Sequence, residues 1–151
     1  MRRLTISVLF LAAGLVLCAA AKDESIDELK ARFEKARTEE RAELGIHIAR
    51  LQLQNADALY RDGKTEPARA AVDEIVSYSE KARDAAIQAN KRLKSAEIEV
   101  RKMADKLRDI KRNLAFEDQP PVDQAIRRLE DVRTALLQAM FGKDSKREKK
   151  K

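Results

Sequence analysis

The sequence predicts an all-α protein, namely an elongated antiparallel helical bundle or coiled-coil rod of four helices built on one helix of about 50 residues. Composition is the first observation behind this prediction. Charged residues make up 38% of the 151-residue chain and aromatic residues only 4%, which is typical of coiled coils and long helices. No run of alternating β-branched and polar residues occurs after residue 21, so strands are not expected.

An apolar stripe is the second observation, and it places the long helix at about residues 65–115. Between Ala68 and Gln119 the sequence has neither glycine nor proline. Apolar or small side chains recur there at steps of three and four, which is the spacing of a heptad repeat. The stripe consists of Val72, Ile75, Ser79, Ala82, Ala86, Ala89, Leu93, Ala96, Val100, Met103, Leu107, Ile110 and Leu114. A helix of this length measures about 75 Å, so other helices are expected to cover it in parts.

The first 21 residues have the three parts of a secretory signal peptide. Two arginines precede a 14-residue apolar run at positions 4–17, and three alanines follow at positions 19–21. We expect cleavage after Ala21 and a mature protein that is extracytoplasmic, either periplasmic or secreted. A lipoprotein modified at Cys18 and an uncleaved N-terminal membrane anchor remain as alternatives. Because Cys18 is the only cysteine, the mature chain would contain no disulfide.

Residues 22–142 form the predicted helical domain. Ser25 and Glu28 match a capping box at the start of helix 1. Helix 2 is expected from about residue 40 to residue 62, followed by Gly63 in a left-handed conformation. The polar run 37–41 separates the two helices, although it would equally suit one continuous solvated helix. Gly45, inside helix 2, is expected to mark a close crossing with helix 1.

The last helix is predicted to open at Pro120 or Pro121 and to end at Gly142. Residues 143–151 then form a basic, disordered tail, since six cations stand there against two acidic residues. This tail is a candidate tether to an anionic envelope surface. Its cations are Lys143, Lys146, Arg147, Lys149, Lys150 and Lys151.

The sequence shows no pattern of residues that would carry catalysis, so neither an enzymatic activity nor a cofactor or metal is expected. His47 is the only histidine, with Glu43 one helical turn before it. Metal-binding helical bundles require several such ligands on facing helices. A packing or surface role is therefore the expectation for His47, and no glycine-rich phosphate loop occurs either.

A surface for protein partners is predicted at the C-terminal end of the rod. There the second half of the long helix and the last helix would form only a two-helix hairpin, which leaves one flank of the apolar seam open. Ile87 and Ile98 would share a second stripe, facing away from the seam, because they are eleven residues apart. The candidate interface residues are Ile87, Ile98, Val100, Met103, Leu107, Ile110, Leu137 and Phe141.

These features predict a homodimer through the C-terminal hairpin, or a protein partner bound to the same surface. Binding to nucleic acid is not expected, because the basic tail has no aromatic side chain to stack on bases. The predicted function is that of a non-catalytic, exported protein acting through protein–protein interaction or as an envelope scaffold. The alternative is a periplasmic chaperone or holdase that binds unfolded or anionic envelope partners.

Overall fold

The computed structural model describes residues 24–148, with side chains described as far as residue 142. This part of the chain contains five α-helices, one short 3₁₀ helix and no strand, which confirms the predicted all-α class. The predicted signal peptide lies outside the described residues. The helices are α1 (Ile26–Lys35), α2 (Thr38–Arg61), α3 (Thr65–Ala89), α4 (Leu93–Arg112) and α5 (Gln119–Glu148), with the 3₁₀ helix at Phe116–Asp118.

The predicted 50-residue helix is wrong, and with it the rod built upon that helix. The chain turns between α3 and α4, where Asn90 and Arg92 both have left-handed backbone angles, with φ of 52° and 63°. The Asn90 amide donates to the Ile87 carbonyl over 3.2 Å, and the Lys91 amide donates to the Ala86 carbonyl over 3.1 Å. This is the Schellman arrangement of helix ends. Asparagine allows it without glycine, because it tolerates the left-handed region better than most residues.

The connection from α2 to α3 uses the same arrangement at a glycine. Gly63 has a φ of +72°, as predicted, and the Lys64 amide donates to the Leu59 carbonyl over 2.9 Å. The two helices therefore form an antiparallel hairpin. Gly45 lies at their crossing, where a Cβ atom would be 2.9 Å from the Cβ of Ala82. The close crossing expected there is mainly with α3, although the Phe33 ring of α1 is also in contact.

The short helix α1 packs on the α2–α3 hairpin. The predicted capping box is confirmed, since the Glu28 amide donates to the Ser25 hydroxyl and the Ser25 amide donates to the Glu28 carboxylate. Ala36 and Arg37 adopt extended backbone angles, so α1 and α2 are separate helices. The Phe33 ring then meets the Tyr78 ring of α3 edge-on, with centroids 5.4 Å apart.

A second antiparallel hairpin, α4–α5, lies beside the first, with α4 next to α2. Three ion pairs join α2 to α4, and successive pairs are seven residues apart on both helices. The two helices therefore run parallel in a constant register, as in a coiled coil. The pairs are Glu43 with Arg92 at 2.9 Å, Arg50 with Glu99 at 3.7 Å, and Asp57 with Lys106 at 3.3 Å.

Helices α3 and α5 also run parallel. Arg69 of α3 pairs with Asp118, the residue just before α5, and Arg128 of α5 pairs with Glu80 of α3, each at 2.8 Å. The four long helices thus form a bundle of two antiparallel hairpins around one shared core, in which α2 lies beside α4 and α3 lies beside α5. Every member of the predicted apolar stripe is buried or half-buried in that core. The periodicity therefore predicted correctly which side chains are buried. These side chains lie on two helices, α3 and α4, instead of on one continuous helix.

The last helix does not end at Gly142 as predicted, because α5 continues to Glu148. The backbone is consequently helical over residues 143–148, where a disordered tail was expected. None of the helices found between residues 24 and 148 combines the length and apolar character that crossing a membrane requires.

Candidate functional site

Four of the predicted interface residues are buried within the chain itself. Val100 and Leu107 are completely inaccessible, and Met103 and Ile110 are only 2% and 4% exposed. These four side chains were expected to be partly exposed, because the C-terminal hairpin was predicted to extend beyond the other helices. Since the chain turns at residues 90–92, α2 and α3 instead cover this seam. These four side chains belong to the core and offer no surface to a partner in this fold.

Ile87 and Ile98 do not share a stripe, because they lie on different helices, α3 and α4. Ile87 is 39% exposed, whereas Ile98 is half-buried. A spacing of eleven residues places two side chains on the same face only within one continuous helix, and the helix is interrupted between Ile87 and Ile98.

Ile87, Leu137 and Phe141 lie at the same end of the bundle. The ion pairs between α3 and α5 join residues 49 and 48 positions apart, so Ile87 is level with about residue 135 of α5. Phe141 is 64% exposed, and both Leu137 and Met140 are half-buried. We refer to Ile87, Leu137, Met140 and Phe141 as the apolar end.

Helix α5 projects past the turn between α3 and α4 at this end of the molecule. The last residue of α3, Ala89, is level with about residue 138, and α5 continues to Glu148. At 1.5 Å per residue the projection measures about 15 Å. Three of the predicted tether residues, Lys143, Lys146 and Arg147, belong to this helical stretch. Lys149, Lys150 and Lys151 lie outside the described residues.

A charged cleft of about 500 Å³ lies between α1, α2 and the start of α4. His47 is exposed on its wall, and Glu43, the carboxylate one turn earlier, pairs instead with Arg92 at 2.9 Å. Within the described residues, no three histidine, cysteine, aspartate or glutamate side chains form a group that could hold a metal ion. The residues that line the cleft include the apolar side chains of Leu29 and Ala96.

Hydrogen bonds and burial displace the pKa of several side chains. The pKa of Glu130 is lowered chiefly by the hydrogen bond that it accepts from Arg108, and that of Glu39 by its hydrogen bond with Lys91. Burial raises the pKa of Tyr60 and of Tyr78. Each of these carboxylates is therefore held in its charged form by a basic partner, which is the electrostatics of structural ion pairs.

Sequence reasoning missed the most exposed large apolar side chain in the described part of the protein. Phe116 is 85% exposed, at the end of the bundle opposite the apolar end. It opens the 3₁₀ helix before α5. A phenylalanine at a helix end is indistinguishable in the sequence from one that folds back to cover the core.

Searches against protein-family models, curated proteins and solved structures found no match for this chain. The fold and the surface define an all-α helical-bundle protein with one end that is both apolar and followed by basic residues.

Proposed function

We propose that this protein is non-catalytic and acts by binding another macromolecule through the apolar end, as an interaction or scaffold protein of the extracytoplasmic space. The observation that carries the proposal is the exposure of Phe141, which presents 64% of its surface to solvent beside half-buried Leu137. Aromatic side chains are enriched at protein–protein interfaces, where they provide much of the binding free energy.

The charge that follows Phe141 favours an anionic partner. Lys143, Lys146 and Arg147 come within the next six residues of α5, and the chain ends in three further lysines. An acidic protein surface or an anionic envelope polymer would contact the apolar side chains and the cations together. Such contacts weaken as salt is added, because exposed charges are screened over about 8 Å at physiological ionic strength.

The lowered pKa values of three carboxyl groups make those three groups unsuited to acid catalysis near neutral pH. A carboxyl group that donates a proton near neutral pH needs a pKa raised by an apolar or like-charged environment. The pKa values of Glu28, Glu39 and Glu130 are lowered by hydrogen bonds from Ser25, Lys91 and Arg108. Those shifts stabilise the folded protein in its charged form and are opposite to the shift that acid catalysis requires.

The extracytoplasmic location rests on the pattern of the first 21 residues. It predicts that protein recovered from outside the cytoplasm begins at Lys22, which an intact-mass measurement would detect. A chain that retains Met1, or one that carries lipid on Cys18, would contradict the proposed cleavage.

The experiment that tests binding at the apolar end compares two phenylalanines. The full chain is expressed in its own cells as the wild type, as Phe141→Ser and as Phe116→Ser. Each purified protein is then used to capture partners from an extract of the envelope of those cells. Both side chains are exposed, at 64% and 85%, so neither replacement is expected to destabilise the fold. We expect Phe141→Ser to abolish capture of a stoichiometric partner and Phe116→Ser to retain it. Equal capture by the wild type and by Phe141→Ser would contradict the proposal.

A chaperone or holdase activity is the second candidate, and the position of Phe116 favours it. Exposed apolar side chains at both ends of the bundle could each make weak contacts with an unfolded chain. In an assay of aggregation suppression, this alternative predicts that Phe116→Ser and Phe141→Ser each lose part of the activity. A scaffold with one stoichiometric partner predicts no suppression by either variant or by the wild type.

A further inference from the structure

The turn between α3 and α4 holds two residues other than glycine in the left-handed backbone region, of which Arg92 is the less suited to it. Asn90 and Arg92 have φ of 52° and 63°, and left-handed angles cost an ordinary L-residue free energy that glycine would not lose. The equivalent turn between α2 and α3 has glycine at this position. The contacts of the α4–α5 hairpin with the rest of the bundle therefore maintain the turn between α3 and α4.

The residues of this turn would fit a helix without interruption. Lysine and arginine are good helix formers, and asparagine is only mildly unfavourable. The apolar spacing also continues across the turn, since Ala86, Ala89, Leu93 and Ala96 follow one another at steps of three and four. If residues 90–92 became helical, α3 and α4 would form one helix with a continuous apolar stripe.

We propose that this turn is a hinge, and that two copies of the chain form a dimer by exchanging their α4–α5 hairpins. In each chain α3 and α4 join into one helix over residues 65–112, and the α4–α5 hairpin packs on the α2–α3 hairpin of the second copy. This is domain swapping, in which identical contacts are made between chains instead of within one chain. Because the turn lies at the same end of the bundle as Ile87 and Phe141, the exchange would bring the apolar ends of the two copies together. Its test is made on the purified protein alone and does not depend on the partner proposed for that end.

Nearly all of the contacts between the two hairpins survive the exchange. The buried stripe and the ion pairs Arg50–Glu99, Lys106–Asp57 and Arg128–Glu80 join the hairpins away from the turn, so they form equally well between copies. Two ion pairs at the turn would be lost when the hinge opens, Lys91–Glu39 and Arg92–Glu43, and all four of their side chains are more than half exposed. Such surface pairs contribute little to stability.

The side chains around the hinge suit a close crossing of two long helices. Near the two-fold axis, where the two joined helices would cross, one residue of the stripe that the core leaves half-buried is Ala89. The distance between packed helices is set by the size of the side chains at the contact. An alanine at this position would let the two helices approach closely.

Two replacements of Asn90 isolate the effect of the backbone. Asn90→Ala and Asn90→Gly remove the same side chain, but alanine favours the joined helix whereas glycine favours the left-handed turn. We expect the dimer association constant, measured by sedimentation equilibrium after refolding at high concentration, to be at least about tenfold higher for Asn90→Ala than for Asn90→Gly. Equal constants, or a higher constant for Asn90→Gly, would overturn the hinge.

A distance within one chain provides the second measurement and is made on the wild-type hinge. Spin labels at Ala70→Cys and Arg112→Cys, both exposed positions, would be introduced in a Cys18→Ser background. Labelled chains are refolded with an excess of unlabelled chains, so that each dimer carries at most one labelled chain. The proposal expects a distance of about 60 Å in the dimer and less than about 30 Å in the monomer. A dimer with only the short distance, or a protein that stays monomeric, would overturn the exchange.

Discussion

Gly45 of α2 lies against Ala82 of α3 so closely that a methyl group on Gly45 would come within 2.9 Å of the Ala82 methyl carbon. The same methyl group would be 3.0 Å from the Tyr78 carbonyl oxygen. Both neighbours are held by the core, since Ala82 is fully buried and the carbonyl belongs to the backbone of α3. The absence of a side chain at Gly45 therefore sets how closely the first hairpin can pack.

Overpacking by the added methyl group of Gly45→Ala is expected to cost about 3 kcal/mol, the upper end of the usual range, because both neighbours are fixed by the core. This loss would outweigh the gain of about 1 kcal/mol in helix propensity that alanine brings. Gly142→Ala is the matched control, because Gly142 is also helical but has nothing within 4 Å of the added methyl group. Urea unfolding of the two variants should shift the midpoint in opposite directions. A midpoint for Gly45→Ala at or above that of the wild type would contradict the close crossing.

Gly63→Ala should destabilise the α2–α3 hairpin by about 1–2 kcal/mol, because the φ of +72° is unfavourable for alanine. Gly63→Asn should cost less, since asparagine occupies the same conformation at Asn90 in the other hairpin. Thermal unfolding of both variants would establish the order. An alanine variant more stable than the asparagine variant would mean that this turn does not hold its left-handed conformation.

The ion pair between Glu97 and Arg133 is expected to be more strongly coupled than the other pairs between helices. Glu97 is only 8% exposed, and Arg133 donates to its carboxylate over 2.7 Å. Removing the arginine alone would leave a nearly buried carboxylate without this partner, which costs more than removing both charges. We therefore expect Arg133→Leu to be less stable than the double variant Glu97→Leu with Arg133→Leu.

Arg128 and Glu80 provide the control for that cycle. This pair is bidentate, at 3.0 and 2.8 Å, but its side chains are 44% and 30% exposed. Its coupling should fall within about 0–1 kcal/mol, as is usual for exposed pairs. Denaturant unfolding of both cycles would measure the difference, and a larger coupling for Arg128 with Glu80 would contradict the importance of burial.

The stability of the protein should fall in acid partly because of Glu130. The hydrogen bond from Arg108 lowers the pKa of this carboxyl group below its usual value of 4.5. The contribution is therefore fully present above pH 4.5, and it is lost as the pH falls through the lower pKa of the folded state. Glu130→Gln and Arg108→Ala should each flatten this part of the stability profile, measured by denaturant unfolding at a series of pH values. A profile for Glu130→Gln as steep as that of the wild type would contradict the assignment.

Much of the candidate surface escaped prediction because it depends on how the helices meet. Ile87, Leu137 and Phe141 were expected to be accessible, and they lie at one end of the bundle, with Phe141 the most exposed. Leu107 and Val100 were expected on the same surface but are fully buried. Within a single helix these side chains share one apolar pattern, so the sequence does not distinguish those covered by another helix from those left open.

The sequence by itself determined the helical class, the caps at Ser25 and Gly63, and the side chains that the stripe buries. These are local properties, since a helix must satisfy its ends and must bury its apolar face. Only the tertiary structure decided that the stripe is divided between α3 and α4. The turn holds Arg92 as well as Asn90 in the left-handed region, which costs an ordinary residue about 1–2 kcal/mol, and the packing of one hairpin on the other outweighs that cost. The packing of the two hairpins depends on side chains that are far apart in the sequence, so a local sequence pattern does not predict it.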